Sequence, residues 1–396
     1  MKAIPYGKQH ITEKDVAAVV EALQSDFLTQ GPRIAEFETN FANYVGSKYA
    51  VAVSNGTAAL HLCTLALDVA AGDKVITTPI TFAASANCVR YCGGEVVFAD
   101  IDPETNLLDL DAVRRLLEAS PERTYRGIIP VDFAGRAVDL EAFRQLADQH
   151  GLWLIEDSCH SPGGYFVDSA GQQQSCGNGR FADLAIFSFH PVKHIACGEG
   201  GMVTTNSETL YHKLLTLRTH GITRDTDRYE NSTQWAAGDA TADSYPGWYM
   251  EMQQLGFNYR LTDFQAALGI SQLKRADEGL ARRRAIAQNY AKAFASQPFI
   301  KGQSGVEEGH AYHLYVIEVD DRLGLYNFLR QNDIFAQIHY IPCHLMPYYQ
   351  KLGWKEGDLP QAEQYYRQCL SLPMYPTLSD EEQAYVIQKV LEFEYE

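Results

Sequence analysis

Lys193 stands on a polar loop between two apolar runs, Leu184 to Ser188 and Met202 to Thr205. The runs have the length and composition of buried strands, so the loop is expected at their ends. Pro191 fixes φ and removes a backbone donor just before the lysine, and Gly198, Gly200 and Gly201 allow close backbone approach just after it. An amine partly stripped of water at such a place has a lowered pKa and attacks carbonyl carbon. That is the chemistry of a Schiff base with a carbonyl substrate or with pyridoxal phosphate. A solvated surface lysine is the ordinary alternative, and what weighs against it is the company Lys193 keeps.

Upstream, Trp153-Leu-Ile-Glu-Asp-Ser-Cys-His160 sets Asp157 and His160 at the end of a hydrophobic strand. A carboxylate there can hold a pyridine nitrogen protonated and turn the ring into an electron sink, with His160 within reach of a ring hydroxyl. Asp157 also reads as an acidic cap for a following helix. Ser54-Asn55-Gly56-Thr57 follows a strand and opens a helix, so its free amides and the helix dipole suit a phosphate; an ordinary Asn-Gly turn with a Thr57 cap is the competing reading. No Gly-Lys-Ser/Thr follows it and no GxGxxG is present, which excludes a Walker loop and a dinucleotide fingerprint. Phe82, where another strand hands over to a helix, reads equally as a ring offered to a flat cofactor or as a core phenylalanine. Asn258 and Arg260 precede a helix that Thr262 can cap, and are placed to meet an anion. A Schiff-base lysine, an acid for the pyridinium and a phosphate seat are together the requirements of pyridoxal phosphate.

The elements that must position these groups are legible as alternating periods. Strands are expected at 49–53, 74–77, 95–100, 127–131, 152–155, 184–188 and 202–205. Helices are expected at 57–67, 82–91, 110–119, 140–150 and 207–219. Repeated βα units of this length predict a mainly parallel seven-stranded sheet with helices on both faces, whose ligands bind at the carboxyl ends of the strands. Thr12-Glu-Lys-Asp15 predicts a capped first helix. Ile34, Phe37, Phe41 and Val45 form a core-facing helical stripe. Residues 224–252 lack periodicity and are expected to be an ordered flap packed by Trp235, Tyr245, Trp248 and Tyr249. A long helix is expected from Leu261 to Asn289. A smaller α+β unit follows, with strands at 313–319 and 336–340 and a helix at 323–332. The division expected is a large domain over 1–270, N-terminal arm included, and a small one over 271–396.

The 396 residues carry 33 basic and 50 acidic side chains, a formal charge of −17, which excludes a general nucleic-acid binder. The hydrophobic share, 46%, is that of a soluble globular protein, and no apolar run approaches the roughly 20 residues of a membrane span. Met1 to His10 is too polar for a signal peptide, and a cytoplasmic protein is expected. The eight cysteines include no CxxC pair, so reduced thiols and no metal are expected.

Five stretches carry a family resemblance: Ser54-Asn-Gly-Thr57, Glu156-Asp-Ser-Cys-His160, Phe187-Ser-Phe-His-Pro-Val-Lys193, Gly198-Glu-Gly-Gly201 and Gly256-Phe-Asn-Tyr-Arg260. Over nearly its whole length the chain resembles the nucleotide-sugar aminotransferases of the DegT/StrS group. The resemblance implies an α/β, aspartate-aminotransferase-like fold (fold type I) and pyridoxal 5'-phosphate as cofactor. It makes Lys193 the Schiff-base lysine, Asp157 the pyridinium partner, His160 a contact of the ring oxygen and Phe82 the stacking ring. Gly56, Thr57 and Ser188 would hold the phosphate, with Asn258 reaching over from the other subunit of a homodimer that shares its active sites. Within the group the chain is most similar to the branch of pseudaminic acid biosynthesis, through Ile4-Pro-Tyr-Gly7 and His339-Tyr-Ile-Pro-Cys-His344. That implies L-glutamate as donor, UDP-4-keto-6-deoxy-N-acetyl-β-L-altrosamine as acceptor, and Tyr6, His313 and His339 along the sugar. The length of 225–248 and the sequence His194-Ile-Ala-Cys197 depart from that branch. Related dehydratases carry histidine where Lys193 stands, so the lysine implies transamination.

Overall fold

The computed structural model of the protein describes residues 3–301 and 307–393. Its centre is a seven-stranded sheet in the order Tyr49–Val53, Gly201–Thr205, Leu184–Ser188, Trp153–Asp157, Tyr125–Ile129, Lys74–Thr77 and Glu95–Phe98. Only Gly201–Thr205 runs against its neighbours. The sheet is therefore the mainly parallel one expected, and its inner strands, buried on both faces, are the near-continuous apolar runs that the sequence displays. Val51, Ile76, Ile128, Leu154 and Ile186 form one core with the helices Gly56–Ala66 and Leu140–His150. On the other face Phe37 and Phe41, from the helix Pro32–Val45, meet Phe187 and Phe189 at ring distances of 4.8 to 5.4 Å. Each such ring contributes on the order of 1.5–3 kcal/mol by leaving water.

Local signals explain the element ends. Thr12 and Asp15 make the capping box that opens Glu13–Leu23. Asp139 caps Leu140–His150, which closes on Gly151 in the left-handed region. The helix Gly56–Ala66 is capped by Asn55, whose Oδ1 accepts from the Ala58 amide at 2.8 Å, and not by Thr57. Asparagine at that place leaves the Thr57 hydroxyl free for other work.

Three expectations are corrected. The span from Leu261 to Asn289 is two helices, Asp263–Leu273 and Ala276–Phe294. The break falls at Arg275, whose non-helical backbone lets its guanidinium reach Asp15 at 2.8 Å and pair with His10. Residues 336–340 are not a strand. The strand is Ile334–Phe335, paired with Ile4–Pro5, and beyond it only Gln337 bridges to Ser371. Strand pairing ends there, and His339 is held instead from both sides, its Nδ1 2.9 Å from Ser371 Oγ and its carbonyl accepting from Tyr365 Oη at 2.8 Å. In the flap, Trp235 and Trp248 stay 67% and 69% exposed. The organisers are buried Tyr249 and the Glu251 carboxylate, which accepts the Glu230 and Asn231 amides at 2.8 and 2.9 Å and the Tyr249 hydroxyl at 2.9 Å.

A second core gathers Ile286, Tyr290 and Phe294 with Tyr315, Leu325, Leu372 and Val386, and the N-terminal Ile4 is buried in it. The arm thereby carries Tyr6 from this core to the mouth of a cavity in the sheet.

Candidate active site

The cavity has a volume of about 540 Å³, the size of a small-molecule site. It opens at the carboxyl ends of the parallel strands: Asp157 ends one, Ser188 another, and the turn 54–57 and the segment Thr78–Phe82 leave two more. Ten of the eleven site residues expected from the sequence line it: Tyr6, Gly56, Thr57, Phe82, Asp157, His160, Ser188, Lys193, His313 and His339. Asn258 does not. It is exposed, in a strand-like segment that pairs with Thr219 and runs beside the 54–57 turn, where Tyr259 accepts the Ser54 amide at 2.8 Å.

Lys193 is partly accessible through the cavity. Burial lowers its pKa, the nearby Cys159 and Asp157 pull it back up, and the charge of Arg283 lowers it further. Asp157 is buried at the strand end, and no helix follows it to be capped. Its Oδ2 accepts from Ser85 Oγ at 2.6 Å and its Oδ1 from the Cys159 amide at 3.2 Å. Ser85 in turn lies 2.7 Å from Thr81 Oγ1. Ser85 is a site residue missed in the sequence; the Thr81/Ser85 spacing of one helical turn, on either side of Phe82, was the available signal.

Phe82 is 64% exposed at the cavity's edge, so it is not a core phenylalanine. The helix Gly56–Ala66 points its N-terminus into the cavity, and the first-turn amides of Gly56 and Thr57 have no carbonyl one turn back. Space there is set by glycines. A Cβ on Gly201 would lie 2.6 Å from the Asn55 carbonyl, and one on Gly56 would lie 3.0 Å from Ser188 Cβ. The turn closes against the strand end only without those atoms.

Imidazoles line the other side. His160 Nδ1 accepts from the Ala134 amide at 3.2 Å, which places the proton on Nε2, 3.2 Å from Tyr340 Oη. The His160 ring lies 4.3 Å from that of His313, which lies 5.8 Å from that of His194. Burial, then the charge of Lys193, holds His160 and His313 well below the ordinary histidine range. His339 is lowered to about 3 by the same two causes. Among the described residues, His313 Nδ1 is buried without a hydrogen-bond partner. These rings are neutral donors and acceptors at physiological pH.

The arrangement joins a desolvated amine, a carboxylate fixed by two donors, an anion seat and an exposed aromatic ring around one cavity. No helix among the described residues is long and apolar enough to cross a membrane.

Residues 9–391 match the DegT/DnrJ/EryC1/StrS aminotransferase family. The spore coat polysaccharide biosynthesis protein SpsC of Bacillus subtilis is 38% identical over 397 residues, 98% of this chain and 96% of SpsC. Among solved structures, PseC of Helicobacter pylori, an aminotransferase of pseudaminic acid biosynthesis, superposes with a TM-score of 0.86 at 30% identity over 99% of both chains. The PLP form of Spr1654 from Streptococcus pneumoniae gives 0.84 at 27% identity over 98% of this chain and 97% of that one. The seven-stranded sheet is the one these fold type I aminotransferases share.

Proposed function

The chain belongs to the DegT/DnrJ/EryC1/StrS aminotransferase family, and from that premise we propose that it moves an amino group from L-glutamate to the C4 ketone of a UDP-4-keto-6-deoxy-N-acetylhexosamine, UDP-4-keto-6-deoxy-N-acetyl-β-L-altrosamine in particular. The observation that carries the reading is that Lys193, Asp157 and the 54–57 anion seat line one cavity. Similarity to PseC supports the sugar class.

The residues present fit pyridoxal phosphate. The seat at Gly56 and Thr57 is a cradle that a Cβ would fill, the donor set pairs an amine with a fixed carboxylate, and a similar structure exists in a PLP form. When bound, that group withdraws electrons from the carbon next to the amine and so makes its proton mobile.

Lys193 carries the chemistry in this reading. Its lowered pKa makes the unprotonated amine more available than that of an exposed lysine; it would bond to the cofactor's carbonyl carbon and, once released, would carry a proton from one carbon to another. Asp157, its geometry fixed by Ser85 and the Cys159 amide, holds a proton on the ring nitrogen. His160 offers its Nε2–H to a ring oxygen, exchanging Tyr340 for it. Phe82 covers the ring face, and the amides of Gly56 and Thr57 with the Ser188 hydroxyl take the phosphate. Asn258, exposed and outside the lining of its own cavity, serves the phosphate of a second copy in a homodimer. Tyr6, His313 and His339 border the sugar, where neutral imidazoles suit hydroxyl and amide groups. The cofactor domain is taken to run to residue 270 and the smaller one to follow it, with Ile4 of the arm packed into the smaller one's core.

A product assay with L-glutamate tests this. The L-altro and D-gluco UDP-4-keto-6-deoxy sugars, each N-acetylated at C2, are offered separately. Amination of the L-altro ketone alone is the expected result. Preference for the D-gluco ketone would overturn the substrate, and amination of neither would overturn the sugar class.

A further inference from the structure

Behind the strand that carries Asp157 lie two carboxyls that the reaction does not use. Successive side chains of a strand face opposite sides, so Glu156 points away from the cavity that Asp157 enters. There it meets Asp132 and Cys176; their donor atoms all lie within 4.8 Å of one another. Asp132 is fully buried and Glu156 is 2% exposed. Among the described residues no cation forms an ion pair with either. Two buried carboxylates this close and without a counter-charge cannot both be ionised.

The hydrogen bonds distribute the roles. Asp132 Oδ1 accepts from the Val138 amide at 2.9 Å, and its Oδ2 accepts from Ser158 Oγ at 3.0 Å and Ser161 Oγ at 2.6 Å. That many donors favour the charged form. Glu156 Oε2 accepts from the Gly177 amide at 2.9 Å, a single donor against the three that meet Asp132. We propose that Asp132 and Glu156 form a carboxylate–carboxylic acid pair, Asp132 charged and Glu156 protonated, which positions Asp157 and His160. Ser158 and Ser161, both held by Asp132, bracket Cys159 and His160, and the Asp132 amide also donates to the Asp157 carbonyl at 3.0 Å. Burial raises both acids: Asp132 against the pull of its three donors, and Glu156, with repulsion by Asp132 added, well above the usual carboxylate range. The titratable groups facing the pair are the thiols of Cys176 and Cys159, both raised by burial and neutral at physiological pH.

The positioning role rests on the proposed reading of Asp157 and His160; the shared proton does not. The first test is therefore infrared spectroscopy of the purified full chain. At neutral pH the difference spectrum between wild type and E156Q is expected to contain the C=O stretch of a protonated carboxylic acid, shifted in D132N. Absence of that band would overturn the pair. The second test is pyridoxal phosphate affinity across pH. E156Q, which mimics the protonated acid, is expected to stay within about threefold of wild type and to lose any alkaline decline that wild type shows. E156A and D132N, which strand buried donors, are expected to bind roughly tenfold more weakly or worse. Equal losses in E156Q and E156A, with folding intact by circular dichroism, would overturn the positioning role. No cofactor binding by wild type, with the infrared band present, would instead sink the proposed function and leave the pair standing.

Discussion

Ser85 Oγ donates to Asp157 Oδ2 at 2.6 Å across the cavity wall, from the first turn of a helix that begins beyond Phe82. The bond ties the helix Ala84–Tyr91 to the end of the strand Trp153–Asp157 and leaves the Asp157 carboxylate a single orientation. S85A removes one donor to a buried carboxylate, a loss of about 1.5–3 kcal/mol for a bond to a charged group. Pyridoxal phosphate affinity measured by titration is expected to fall roughly ten- to a hundredfold. S85T, which keeps the hydroxyl, should recover part of the loss. Unchanged affinity in S85A would show that Cys159 alone fixes the carboxylate.

Phe82 distinguishes stacking from packing. Its ring is mostly exposed and 6.5 Å from that of Tyr340, so truncation removes little core contact. F82A is expected to leave the melting temperature of the cofactor-free protein within the small change of a surface substitution, about 0.5 kcal/mol. Cofactor affinity should nevertheless drop severalfold, by the roughly 0.5–1.5 kcal/mol of an aromatic stack. A destabilised apoprotein with unchanged affinity would return Phe82 to the core.

Much of this was legible because the signals were local and periodic. The seven strands, the helix ends at Asp139 and Thr12, and the stripe through Phe37 and Phe41 depend on neighbours in sequence. So does the cluster of candidate residues, since βα periodicity puts strand ends on one rim. What stayed hidden depends on partners distant in sequence. The helix break at Arg275 exists because Asp15, 260 residues away, claims its guanidinium. His339 is held by Ser371 and Tyr365 instead of a neighbouring strand, so the apolar alternation from Ala336 to Tyr340 reads as a strand that the fold does not make. Ser85 and Tyr340 are ordinary residues until the cavity faces them.

Buried histidines set the acid limit. Burial is the first cause that lowers His160, His194, His310, His313 and His339. Between the lowered folded value and the ordinary value near 6.5, the unfolded chain binds protons that the folded chain does not, so stability falls as pH falls through that window. Their contribution is complete above about pH 6.5, and each ring can cost up to about 1.4 kcal/mol per pH unit below it. Denaturant unfolding from about pH 7 to pH 5 should show this slope, and H339Q, which cannot take up the proton, should reduce it. The same slope in H339Q would mean that His339 ionises freely in the folded protein.

That Lys193 is the amine that bonds to the cofactor is open to direct chemical test. The full chain, incubated with pyridoxal phosphate and reduced with borohydride, is digested and its lysines are mapped by mass spectrometry. The expected result is a pyridoxyl phosphate adduct on the peptide bearing Lys193, its loss when L-glutamate is added before reduction, and no adduct at that position in K193A. An adduct distributed over surface lysines, or one on another lysine that survives K193A, would contradict it.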